Sequence, residues 1–257
     1  MSKSRQRLPD GSVVVRTFPV TFLHDFTQAR CDRAWHTLTY ATRGHLEVIT
    51  DDARRLVPVD HAVWLPAGTR HTAVMRAPVA MRSLFIAAGA WRRPGDRVRT
   101  LAVAPLLREL IVHVARLGAL DRRVPTQARL AGVLLDLLDA ADDVPLALPT
   151  PRDPRARRFA ELVTGRPDDR RSIAALARAA GASLRTLERS FLADTGVAVG
   201  EWRRRVRLFH AHRLLQAGQP VTAVALEVGY ATTSAFSHAY ARQFGVPPSQ
   251  RRRAISG

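Results

Sequence analysis

Apolar residues keep two different rhythms along this chain. Between about residues 12 and 86 short β-rich runs recur at 13–15, 36–40, 45–50, 54–59, 61–65, 71–75 and 80–86, and those at 36–40 and 45–50 alternate apolar with polar residues in the two-residue period of half-buried strands. Turn signals at Arg43-Gly44, Asp51-Asp52 and Pro66-Ala67-Gly68 separate them. Short strands at that spacing predict a small antiparallel barrel or sandwich. Pro94-Gly95 breaks the pattern, and the period then becomes helical. Segment 104–117 gathers Leu106, Leu107, Leu110, Ile111 and Val114 on one face, and segment 126–140 gathers Leu130, Val133, Leu134, Leu137 and Leu138. Such stripes complete a domain core or meet a second copy of the chain, and a dimer contact is the reading favoured here. His113, in the first stripe, is read as a packing residue. Residues 141–154 hold four prolines and no period, as an extended linker does. The predicted organisation is α+β: a sheet domain over 1–100, a helical connector suited to dimerisation over 101–141, a linker over 142–154 and an all-helical domain over 155–257.

The helical domain contains a repeat. Residues 221–228 bury Val221, Val224, Ala225 and Val228, Gly229 supplies the left-handed turn, and a second helix starts near Thr232 or Thr233. That second helix buries Phe236, Tyr240 and Phe244 and turns Thr233, Ser234, Ser237, His238 and Arg242 outward. Alone, this could be an ordinary helical hairpin with a solvated face. However, Ile173, Leu176, Ala177 and Gly181 match Val221, Val224, Ala225 and Gly229 at an offset of 48 residues. Leu187, Phe191 and Gly196-Val197 then match Phe236, Tyr240 and Gly245-Val246 at an offset of 49, so the second turn is one residue longer. Two helix-turn-helix hairpins point to a surface that enters DNA grooves. Between them, segment 199–216 presents Trp202, Val206, Phe209 and Leu214 on an apolar face. Arg203, Arg204, Arg205 and Arg207 lie against phosphates or form a solvated face.

Charge agrees with this. The 257 residues carry 40 basic and 22 acidic side chains, a formal +18, and Lys3 is the only lysine. Arginine is a two-pronged donor to phosphate and guanine, although a GC-rich coding bias would also favour it. Residues 152–257 hold 19 arginines against 8 acidic residues, whereas residues 1–151 hold 21 basic and 14 acidic ones. The lone Cys31 excludes an internal disulfide and suits a reducing compartment. The first residues lack the apolar run of a secretion signal, and no stretch is long and apolar enough to span a membrane, so a soluble cytoplasmic protein is expected. No Gly-x-Ser-x-Gly elbow, phosphate-cradling glycine loop or zinc-spaced Cys/His cluster occurs, and no enzyme activity or cofactor is expected.

Residues 60–71, DHAVWLPAGTRH, resemble the second conserved motif of the cupin barrels, with Pro66, Gly68 and His71 in place. In cupins, histidines and a glutamate commonly hold a metal. Glu47 and His71 could serve here, but the first-motif histidines fall at Cys31-Asp32-Arg33, and an arginine opposes a metal. His36 lies close enough to substitute, but the expectation is no metal. The barrel pocket is assigned His36, Tyr40, Glu47, Trp64 and His71 as effector-binding residues.

Residues 159–252 resemble the DNA-binding domain of the AraC/XylS transcriptional regulators through ASLRTLERSF, TGVAVGEWRRRVRL and VALEVGYATTSAFSHAYARQFGVPPSQRR. The cupin-like sensor extends the likeness over most of the chain. The resemblance implies a seven-helix module whose two recognition helices enter successive major grooves about 34 Å apart. It makes Arg185, Glu188 and Arg189 base-facing on the first helix and Thr233, Ser234 and His238 on the second. Arg204 and Arg205 would touch the phosphates, and Arg242 would share the DNA-facing polar face of the second helix. Arg185 or Arg189 would grip guanine and Glu188 would accept from cytosine, so the first hairpin is expected to dominate readout. Expected partners are double-stranded DNA, an unidentified small-molecule effector, RNA polymerase and a second copy of the chain. A metal-dependent enzyme fused to a DNA-binding domain and a sequence-tolerant architectural DNA binder are the alternatives.

Overall fold

A computed structural model describes residues 11–90 and 97–253 of the chain. The Pro94-Gly95 break and the chain start fall outside the described residues. Contacts divide the chain into two units, residues 1–51 with 55–145, and residues 52–54 with 146–257.

The first unit is built on strands β1 (Val13–Phe22), β2 (Phe26–Arg30), β3 (Trp35–Ile49), β4 (Ala53–Val57), β5 (His61–Leu65), β6 (His71–Ala87), β7 (Arg99–Ala102) and β8 (Ala119–Asp121). They pair in the order β7-β5-β3-β6-β1-β8, with β2 on β6 and β4 on β3. The path ends at β7 and β8, so among the described residues the expected barrel is an antiparallel sheet that does not close. Two predicted pairs of strands are single long ones. Gly44, expected at a turn, instead makes a bulge in β3: its φ is +76°, and a Cβ there would lie 2.4 Å from the Pro78 carbonyl oxygen. Register shifts flank it between Ala41 and Arg43 and between Arg43 and His45.

Two apolar clusters use the strand alternation. Leu38, Tyr40, Trp64, Leu84 and Ile86 pack with Leu107, Leu110, Ile111 and Val114 of helix α1 (Pro105–Leu117) and Leu134 and Leu138 of helix α2 (Pro125–Asp139). Leu46, Val48, Val63, Leu65, Ala73 and Met75 form the other cluster. Val63 and Trp64, neighbours on β5, thus face opposite ways. The bulge shifts the parity of β3: Leu38 and Tyr40 belong to the helix-facing cluster, whereas Leu46 and Val48, also even-numbered, belong to the other. Each buried leucine or isoleucine contributes about 1.5–3 kcal/mol, so most of the two helical stripes is needed for the core. Leu106 and Val133 remain 63% and 48% exposed. His113 is exposed and not a packing residue, because it lies off the Leu107–Leu110–Val114 line.

The second unit comprises β9 (Ala147–Pro149) and seven helices among the described residues: α3 (Pro154–Gly165), α4 (Ile173–Ala179), α5 (Leu184–Thr195), α6 (Val199–Gln216), α7 (Val221–Glu227), α8 (Thr233–Phe244) and α9 (Pro248–Arg253). The proline-rich stretch is extended but anchored. Thr150 N donates to Asp52 O (2.8 Å), Arg152 N and Asp153 N donate to Asp194 Oδ2 (2.8 Å each), and Asp153 caps α3. Proline at N1 costs α3 nothing, since that N–H has no helical acceptor.

Candidate nucleic-acid interface

The two hairpins share their turn chemistry. Ser183 Oγ accepts from Thr186 N (3.1 Å) to cap α5, and Thr232 Oγ1 accepts from Ala235 N (3.2 Å) to cap α8. In the first turn Gly181 N donates to Arg178 O and Ala182 N to Ala177 O. In the second, Gly229 N donates to Leu226 O and Tyr230 N to Ala225 O. Gly181 and Gly229 have φ of +80° and +82°, so each turn needs the left-handed region that glycine enters freely. Gly196 and Gly245, also left-handed, end α5 and α8 by donating to Leu192 O and Ala241 O.

Aromatic packing fixes both α5 and α8 from behind. Phe191 of α5 makes edge contacts with Phe159 (5.9 Å) and Trp202 (5.3 Å), and Trp202 Nε1 donates to Pro149 O at 2.9 Å. Tyr240 of α8 packs between Phe236 (5.6 Å) and Phe244 (4.5 Å), with its hydroxyl 2.7 Å from Nδ1 of the fully buried His212. With these faces inward, Arg185, Glu188, Arg189, Ser234, His238 and Arg242 are exposed and Thr233 is half-buried. Their side chains make no hydrogen bond or ion pair among the described residues, which leaves their donors and acceptors available to a ligand. Leu187 and Phe236 are buried at the equivalent inner position.

The arginine run behaves differently from the expected phosphate-facing row. α6 is no amphipathic surface helix: Trp202, Val206, Leu208, Phe209, Ala211, His212 and Leu215 are buried around its circumference, because it packs against elements of both hairpins. Leu214, expected on the apolar face, is half-buried, and Leu215 takes the core position. Arg203 is buried and donates to Asp169 O (2.5 Å), as does Arg207 (3.0 Å). Burial, helped by the charge of Arg207, lowers the Arg203 pKa. Arg204 and Arg205 both grip Glu201, at 2.5 and 3.1 Å. Burial alone would raise the Glu201 pKa, but these two guanidinium groups hold it below the ordinary carboxylate range.

The five residues assigned to an effector pocket are not brought together. His36, Tyr40 and Trp64 share the face of the sheet covered by α1 and α2. The His36 and Trp64 rings are 4.9 Å apart, and His36 Nδ1 accepts from Ala67 N (2.9 Å). Burial raises the Tyr40 hydroxyl to a pKa of about 12, and that hydroxyl has no hydrogen-bond partner among the described residues. Glu47 pairs with Val74 and Ile49 with Thr72, so Glu47 and His71 project from opposite faces and cannot share a metal. Among the described residues, no three His, Cys, Asp or Glu side chains gather as a metal site would need. His71 instead borders an opening of about 430 Å³ with Arg30, Cys31, Thr50, Asp51 and Arg70. Burial lowers its pKa, which favours the neutral ring at neutral pH. Sequence reasoning missed Arg30 and Arg70. Arg30 was hidden by the failure to recognise β2, whose register sets Arg30 opposite His71. No helix of the described residues is long and apolar enough to cross a membrane.

Residues 176–254 match a family described as a helix-turn-helix domain. The chain is similar to the HTH-type transcriptional regulator NimR of Escherichia coli, 30% identical over 213 residues, covering 83% of this chain and 78% of that protein. It is 39% identical over 102 residues to the HTH-type transcriptional regulator RipA of Corynebacterium glutamicum, covering 40% of this chain and 30% of that protein. Among solved structures, unsaturated fatty acid-bound ToxT from Vibrio cholerae aligns over 98% of this chain and 99% of its own, with 13% identity and a TM-score of 0.40. A probable AraC family transcriptional regulator from Rhodopseudomonas palustris aligns over 39% of this chain and 96% of its own, with 30% identity and a TM-score of 0.37.

Proposed function

This chain belongs to the AraC family of DNA-binding transcriptional regulators, and on that premise we propose that it reads its operator chiefly through α5 and answers to a small polar effector held by the first unit. The observation that carries the proposal is the asymmetry of two otherwise matching hairpins. They share caps, turns and terminal glycines, yet only α5 presents long charged side chains, Arg185, Glu188 and Arg189, where α8 presents Thr233, Ser234 and His238. Arginine gives two hydrogen bonds to guanine O6 and N7, glutamate accepts from cytosine N4, and short hydroxyls discriminate less. Arg204 and Arg205, engaged with Glu201, serve chiefly to hold α6, while Arg242 faces the backbone.

The effector reading rests on the opening beside His71. Arg30 and Arg70 offer donors there, and neutral His71 can accept or donate. Tyr40 and Trp64 belong to the helix-covered core and are left out of this effector site. Effector binding would bias the arrangement of a homodimer, to which the exposed Leu106 and Val133 contribute, and so change engagement of RNA polymerase in the cytoplasm.

Selection of bound duplexes from random DNA tests the proposal. The expected outcome is two conserved blocks about one helical turn apart, the stronger containing G·C pairs. A pool without consensus would favour the architectural alternative, and stoichiometric metal in the purified protein would favour the enzymatic one.

A further inference from the structure

The opening beside His71 holds two unmet polar groups on one face of the sheet. The β2–β6 register sets Arg30 directly opposite His71, and residues paired in this way project to the same side. Both border the opening of about 430 Å³. The half-buried Arg30 lays its guanidinium over the Phe85 and Phe18 rings, with its carbon 5.3 Å and 6.0 Å from the ring centres, and its N–H groups make no hydrogen bond or ion pair among the described residues. His71 is 8% exposed. Its Nδ1 donates to Thr69 O at 3.1 Å, so in the neutral ring Nε2 carries the lone pair and can only accept. Nε2 has no partner among the described residues and, unlike His45 Nε2, is not sealed from the surface.

The carboxylates nearby do not meet Arg30. Asp32 Oδ1 accepts from the backbone N–H groups of Ala34 (3.0 Å) and Trp35 (3.2 Å). Asp51 pairs with Arg70 at 3.5 Å on the rim, where their side chains are 86% and 79% exposed. That pair is close to neutral, so Arg30 supplies the unbalanced charge of the opening. Burial and the positive charge of Arg30 both lower the His71 pKa, which keeps the ring neutral beside it. A half-buried cation without an anion is unfavourable, and a flat two-pronged donor beside a lone acceptor fits a ligand that offers a carboxylate and, next to it, an O–H or N–H.

We infer that the effector of the first unit is a small carboxylate with a neighbouring O–H or N–H, its carboxylate gripped by Arg30 and its O–H or N–H donating to His71 Nε2. Neither protein group is bonded elsewhere, so binding breaks no existing contact. The inference gives the chemistry of the effector site proposed above and rests on that reading for its regulatory consequence.

Cys31, the only cysteine of the chain, is exposed on the same opening, so its alkylation in the full-length protein reports on the site. Iodoacetate and iodoacetamide both lose iodide to the thiolate and differ in a carboxylate against a carboxamide. With each rate divided by that of the urea-unfolded chain, iodoacetate should react about tenfold faster than iodoacetamide, and its rate should saturate with concentration. Arg30→Gln should abolish both effects, whereas Arg70→Gln, which removes an equal charge from the same opening, should keep them. In the wild type alone, glycolate should slow alkylation by iodoacetamide more than acetate does, and glycolamide should not slow it. Equal normalised rates for the two reagents, or an advantage lost as fully in Arg70→Gln as in Arg30→Gln, would overturn the site, as would equal protection by glycolate and either analogue. Anisotropy on the selected operator separates this from the effector reading: carboxymethylated protein should bind with an affinity different from that of carbamidomethylated protein. A carboxylate preference at Cys31 with identical operator affinities would keep the anion site and refute its role as the effector site.

Discussion

Replacing Arg185 by alanine separates base reading from every other role an arginine can play. Arg185 is exposed, sits two residues beyond the Ser183 cap of α5 and touches no partner among the described residues. Its removal should therefore shift folding stability by no more than about 0.5 kcal/mol, the usual range for a surface position without such features. Lost guanine contacts should cost about 1–3 kcal/mol of binding, which is about 5- to 150-fold in affinity. The loss should appear on the operator and vanish when the contacted G·C pair is replaced. Anisotropy with the operator and its single-pair variants, alongside thermal unfolding, measures both quantities. An equal loss on unrelated DNA with a shallower salt slope would make Arg185 a phosphate contact. A large fall in melting temperature would mean that the helix depends on it.

Other consequences can be measured independently. Arg205→Ala should leave the salt slope unchanged and cost less than about 1 kcal/mol of stability, because its contact is a partly exposed i,i+4 pair with Glu201; a slope lowered by about 1 would return it to the phosphates. Tyr240→Phe removes the 2.7 Å bond to His212 in a buried site and should cost about 1–3 kcal/mol in urea unfolding, whereas an unchanged midpoint would deny the bond a structural role. Stability should fall as the pH drops below about 6.5, since burial is the main cause lowering the pKa values of His36, His71 and His210 and the unfolded chain then binds more protons than the folded one. A melting temperature flat from pH 7 to 5 would contradict this. Leu106→Glu combined with Val133→Glu should convert the proposed dimer to monomer in sedimentation velocity without unfolding the first unit, and a wild type that sediments as a monomer or a variant that stays dimeric would refute that contact.

The hairpins were legible because their physics is local. Apolar residues at helical spacing, a glycine where φ must be positive and a hydroxyl at each cap suffice to set a helix-turn-helix, and their repetition at offsets of 48 and 49 residues made the pair distinctive. α6 was misread because one-sided burial was assumed. A helix enclosed by both hairpins buries residues all round, so Arg203 ends inside and its neighbours bond within the protein. In the sheet, Gly44 signals a turn and a bulge equally well. The bulge then shifts the alternation of β3 by one residue, which is why Glu47 and His71 could not be assigned to faces from sequence. β7, β8 and β9 have four residues or fewer, too short to show a period.

Footprinting the full-length protein on DNA upstream of its own and neighbouring genes tests the central claim most directly. Two hairpins joined by one packed helix should protect two major-groove segments about 34 Å apart on the same face of the duplex, and guanine methylation in the segment read by α5 should block binding. Uniform protection without boundaries, or a single protected segment unaffected by methylation, would contradict the account.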